Sequence, residues 1–169
     1  MNRLTKETLN LNKTRNIENS WNIDYNCFGY AFNIFEWLGF DYLSDIDMYV
    51  DYGVLGYTAE DIDLIEGAMT REIIKMCKGL CREVFSEKEL KKNEFLVLFR
   101  LATRYDKERD EYLIRDFHFI KRLHGGQWVH KMGGLPVETY YGNPLDPFED
   151  WNDKYNERII MFAVNNKMY

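Results

Sequence analysis

Apolar residues recur at helical spacing in the first half of the chain and alternate in the second half. Phe28, Ala31, Ile34, Phe35 and Leu38 share one face of a helix predicted over residues 27–38. Asn26 is placed as its N-cap, which puts Cys27 in the first turn, and Gly39 follows as a stop. Ile62, Ile65, Met69, Ile73, Met76 and Leu80 form a second stripe, on a helix starting near Thr58 and running to about Val84. Thr58 and Asp61 resemble a capping box with the acid one carbon short, and Asp61, Asp63 and Glu66 suit the positive end of the helix dipole. Cys77 and Cys81 fall four apart on this helix and read as packing residues. Residues 86–92 are expected to be a short helical or irregular piece.

From residue 94 the period changes to that of strands. The runs EFLVLFRLAT (94–103), LIRDFHFIKRL (113–123), QWVHKM (127–132) and RIIMFAV (158–164) are predicted strands, and 133–156 reads as a long loop. In the second run Phe117 and Phe119 take one face, and Asp116, His118 and Ile120 the other. Helices followed by antiparallel strands predict an α+β domain, with the N-terminal helices packed on the sheet. The 169 residues suit a single domain, with the polar, Asn-rich residues 1–20 as a loosely held arm.

Composition adds a core and a charge asymmetry. Hydrophobic residues make up 46% and aromatics 16%, which argues against a disordered chain. The net charge of −6 is unevenly spread: residues 1–15 carry +3, and residues 16–70 carry eleven acids and no Lys or Arg. Direct nucleic-acid binding is disfavoured, because phosphate contacts need clustered bases. Asp41, Asp45, Asp47 and Asp51 form a candidate acidic patch for a cationic substrate or a basic protein partner. Carboxylates close to Cys27 would instead raise its thiol pKa. Three cysteines, no apolar leader and no apolar run near the ~20 residues of a membrane span lead to the expectation of a cytoplasmic protein with free thiols.

Cys27, His118 and His130 are the residues that suggest chemistry. Unpaired N–H groups at a helix start favour thiolate over thiol, and a His can take the thiol proton and later return it to a leaving group. A second polar group on the far nitrogen then fixes the tautomer. A three-residue loop at 123–125, with Gly125 in the left-handed region, would set position 118 opposite position 130; other registers are open, and a one-residue slip would present Lys131 instead. Asp116 is the alternative orienter. The Cys27 N–H is the natural oxyanion donor, with Asn22, Tyr25 and Asn26 as side-chain candidates. His124 belongs to the turn, Trp128 reads as packing, and a three-His metal site is the minor alternative.

The runs Tyr25-Asn26-Cys27-Phe28-Gly29-Tyr30-Ala31, Asp116-Phe117-His118-Phe119 and Gly126-Gln127-Trp128-Val129-His130-Lys131 resemble papain-like cysteine peptidases of the NlpC/P60 type. The resemblance implies a papain-like fold and a Cys27–His118–His130 site that hydrolyses or transfers an amide or peptide acyl group. It implies no cofactor and no metal. The alternative from charge is an acidic binding module or inhibitor that engages a basic partner surface, on such a scaffold without required catalysis.

Overall fold

The computed structural model describes residues 24–34, 36–39, 56–149, 151 and 155–166. The expected arm at 1–20, Asn22 and the acidic patch of Asp41, Asp45, Asp47 and Asp51 lie outside the described residues. Helix α1 spans Cys27–Ala31 and helix α2 Ala59–Met76, with a 3-10 turn at Glu87–Glu89. Strands β1 (Cys81–Val84), β2 (Glu94–Asp106), β3 (Glu111–Arg122), β4 (Trp128–Lys131), β5 (Val137–Thr139) and β6 (Ile160–Asn165) form one sheet in the order β1-β6-β2-β3-β4-β5. Every neighbouring pair is antiparallel. The architecture is therefore α+β, as the change of period predicts.

Both faces of the sheet are buried. On one face Val97, Phe99, Leu101, Phe119, Phe162 and Val164 pack with Phe28 and Phe32 of the α1 region and with Ile65, Met69 and Ile73 of α2. Phe28 stacks on Phe119 at 4.9 Å between ring centroids. On the other face Leu96, Leu98, Ala102, Ile120 and Ala163 pack under Trp151 and Tyr155, which belong to the segment between β5 and β6. Such side chains contribute about 1.5–3 kcal/mol each when fully buried. The sheet thus has helices on one side and an irregular segment on the other.

Helix α1 stops well short of the expected Leu38. Asn33 takes a left-handed backbone (φ 58°), and Ile34 N–H returns to the Gly29 carbonyl at 2.9 Å. The chain then folds back over the helix start: Asn26 Nδ2 donates to the Leu38 carbonyl at 2.6 Å, while Asn26 Oδ1 accepts from Gly29 N at 3.1 Å. A β-carbon at Gly29 would overlap the Glu36 carbonyl oxygen, so glycine is what permits the return. Lys121, buried against the Tyr30 ring at 4.5 Å, donates to the Tyr30 carbonyl and to Asn33 Oδ1 and so closes the helix's C-terminal end.

Helix α2 begins as expected. Thr58 accepts from Asp61 N at 3.2 Å, and Asp61 Oδ2 accepts from Thr58 N at 2.8 Å, completing the box. Its end is corrected to Met76, because Lys78 (φ 50°) and Gly79 (φ 79°) turn the chain into β1. Cys77 is therefore the C-cap and Cys81 the first residue of a strand. Both remain buried free thiols. The expected loop at 133–156 also needs correction, since it contains the short edge strand β5.

Candidate functional site

Asn26 builds the start of α1 by capping Gly29 N, and this fixes Cys27 as the first helical residue. Helix α1 packs on β3 and β4. The β3–β4 ladder runs only from Arg122↔Trp128 to Ile120↔His130. Cys27 lies beside β3 next to the end of that ladder. Its sulfur is within reach of the backbone N–H groups of Phe28 and Phe119, and Phe119 is the residue after His118.

Cys27 is 6% exposed. Burial pushes its pKa up to about 12, and the Asp116 carboxylate adds to the rise. The Phe28 and Phe119 N–H groups and the Lys131 ammonium pull the other way without reversing it. At neutral pH Cys27 is a thiol. Five helical residues carry a weak dipole, which does not offset this desolvation. Asp116 realises the expected conflict between a nearby carboxylate and a thiolate, although it lies outside the acidic block.

His118 takes the sheet face opposite Phe117 and Phe119. Its ring lies 5.7 Å from Tyr155 and 6.2 Å from Trp151, centroid to centroid. Burial, helped by the neighbouring His130, lowers its pKa to about 3, so the imidazole is neutral. His130 is also lowered by burial, against an opposing pull from Glu138. Nε2 of His118 and Nδ1 of His130 are 3.0 Å apart. No hydrogen bond joins the Cys27 thiol to either imidazole among the described residues. Cys27 instead meets the β3 backbone at the Phe119 N–H, one residue after His118.

The His pair forms in a register other than the expected one. His130 pairs with Ile120, so His118 and His130 are diagonal rather than opposed. The turn closes through Gly126 N to the Leu123 carbonyl at 2.9 Å, and Gly126 (φ 85°), not Gly125, is the left-handed residue. The offset is two residues, which preserves the face, and diagonal neighbours at ~7–8 Å remain within reach of imidazoles.

Asp116 does not orient His118. Its Oδ2 accepts from Tyr155 Oη at 2.7 Å and its Oδ1 from Phe117 N at 2.8 Å. Among the oxyanion candidates, Asn26 donates from Nδ2 to the Leu38 carbonyl and accepts at Oδ1 from Gly29 N and Leu38 N. Tyr25 stacks on Tyr30 at 6.3 Å, and Lys131 Nζ lies 5.1 Å from its ring centroid. His124 is exposed on the turn. Trp128 is half-buried and packs against the second core. No three His, Cys, Asp or Glu side chains converge as a metal site among the described residues.

Three surrounding residues were not anticipated as part of the site: Trp151, Tyr155 and Arg100. Arg100 had a signal, as the single charge in the apolar run 95–102 of a strand buried on both faces. Trp151 and Tyr155 reach the site through a long non-local segment, for which no periodicity speaks. Comparison of the chain with protein-family models, curated proteins and solved structures finds no match. No helix among the described residues is long and apolar enough to cross a membrane.

Proposed function

We propose that this chain is a papain-like thiol-dependent hydrolase or acyltransferase acting on amide or peptide bonds, with Cys27 as nucleophile, His118 as proton carrier and His130 as its orienting partner. The observation that carries the reading is the 3.0 Å contact between His118 Nε2 and His130 Nδ1. With Nε2–H donating to His130, Nδ1 of His118 is left to accept a proton. In the reaction the Cys27 S–H proton passes to His118 Nδ1 as sulfur bonds to the acyl carbon. The tetrahedral intermediate expels the amine, which takes that proton from His118. Water, or an acceptor amine or alcohol, then releases the acyl group by the reverse sequence.

The resting site holds a neutral thiol and a neutral imidazole, so proton transfer accompanies attack instead of preceding it. The exposed Asp116 beside the thiol supports a substrate with positive charge next to the scissile bond. Turnover of amide and ester model substrates tests the proposal: it should be lost in Cys27→Ala and His118→Ala, and activity retained by Cys27→Ala contradicts it. One observation favours the second reading, a binding module without catalysis: the buried, protonated thiol has no hydrogen bond to His118 among the described residues. On that reading a basic partner is retained equally by wild type and Cys27→Ala.

A further inference from the structure

Arg100 projects from β2 to the face that carries His118, and it stands directly opposite His118 in the β2–β3 ladder. It is 1% exposed. A buried guanidinium stays charged and is costly unless its N–H groups are met. Here they are met by main-chain carbonyls of one distant segment: Nε donates to Asn156, Nη1 to Glu149 at 2.6 Å and Nη2 to Pro147 at 3.0 Å. Its Cζ lies 5.0 Å from the Trp151 ring centroid. Asn156 is pinned again, its N–H donating to the Leu101 carbonyl at 2.8 Å and its Oδ1 accepting from Thr103 Oγ1 at 2.8 Å. A leucine would fill this strand position without desolvating a charge. What the guanidinium adds is a fixed fork that binds carbonyls flanking Trp151 and Tyr155.

We propose that Arg100 is a positioning residue for His118: by holding the carbonyls of Pro147, Glu149 and Asn156 it seats Trp151 and Tyr155 against the imidazole and keeps water from it. The proposal rests on the reading of His118 as the proton carrier, and it assigns the control of that group's basicity to a residue with no direct part in the reaction. Among the described residues, the ionisable groups facing His118 are Arg100 from β2, His130 from β4 and Tyr155 from the covering segment; Asp116 binds the Tyr155 hydroxyl, and Glu138 of β5 acts on His130. With the cover in place, burial keeps the imidazole neutral.

The test is the NMR titration of the His118 Cε1–H signal in the full chain, in wild type, Arg100→Lys and Arg100→Met. Arg100→Met should raise the His118 midpoint by about one pH unit or more, as water reaches the ring. Arg100→Lys, a point charge without the fork, should fall between the two. If Arg100→Met does not fold, Trp151→Ala removes the seated ring with Arg100 in place and should raise the midpoint as well. An unchanged midpoint in folded Arg100→Met, or in Trp151→Ala where that variant stands in, overturns the proposal. The readout is a titration and not turnover. A chain that never hydrolyses a substrate therefore contradicts the proposed function and leaves the positioning role standing.

Discussion

His118 Nε2 and His130 Nδ1 lie 3.0 Å apart although the ladder pairs His130 with Ile120 and not with His118. The bond is diagonal, it is buried, and it meets the far nitrogen of the ring that the proposed mechanism uses. His130→Phe should leave that nitrogen unsatisfied in an apolar setting. The expected cost is about 1–3 kcal/mol. Urea unfolding at pH 7 measures it, and a midpoint equal to wild type contradicts the assigned bond.

Two buried groups set opposing pH dependences. His118 has a folded pKa of about 3, below the ordinary value of 6.5, so the unfolded chain binds more protons between these limits. Its contribution to stability is complete above pH 6.5 and is lost as pH falls toward 3. Glu66 behaves inversely: burial raises its pKa from 4.5 to about 7, with Asp63 adding to the rise and Arg158, 3.1 Å away, opposing it. Its contribution is present below pH 4.5 and is lost as pH rises through 7. The two slopes cancel where the windows overlap. Wild-type stability should therefore change little between pH 4.5 and 6.5 on their account. Glu66→Gln should unmask the His118 slope, a gain of roughly 3 kcal/mol from pH 4 to 6.5. Urea midpoints across this range check it, and a flat profile in Glu66→Gln counts against the buried neutral imidazole.

Glycine in a helix ordinarily costs about 1 kcal/mol relative to alanine, so Gly29→Ala would be stabilising on propensity alone. Here the Glu36 carbonyl occupies the place of the new β-carbon, and backbone cannot yield as a side chain tip can. Overpacking of this kind costs about 1–3 kcal/mol. Gly29→Ala should lower the thermal midpoint and move Cys27 relative to β3. A raised midpoint would show that the 32–38 segment does not fold back over the helix.

Much of this arrangement was legible in the sequence, and the rest has identifiable physical reasons. Asn26 and the Thr58–Asp61 box act within three residues, so local chemistry announced both helix starts. The ends of the same helices were not legible. Ile34 and Leu38 keep helical spacing, yet the hydrogen bonds between Asn26 and Leu38 and the left-handed Asn33 turn the chain away. Similarly, Leu80 continues an apolar stripe that Lys78 and Gly79 break. Face alternation correctly placed His118 opposite Phe117 and Phe119, because parity survives a two-residue shift of register. Alternation could not reveal what covers that face. Trp151 and Tyr155 arrive through carbonyl contacts with Arg100, a main-chain interaction that no side-chain pattern in 140–156 encodes.

In the proposed mechanism Cys27 attacks an acyl carbon while His118 takes the proton. Incubation with an activated acyl ester, followed by intact-mass and peptide mapping, reads this step. One acyl group is expected on Cys27 in the wild type, none at that position in Cys27→Ala, and a strongly slowed reaction in His118→Ala. No adduct on Cys27 in the wild type, or equal labelling of Cys27 in His118→Ala, would contradict it.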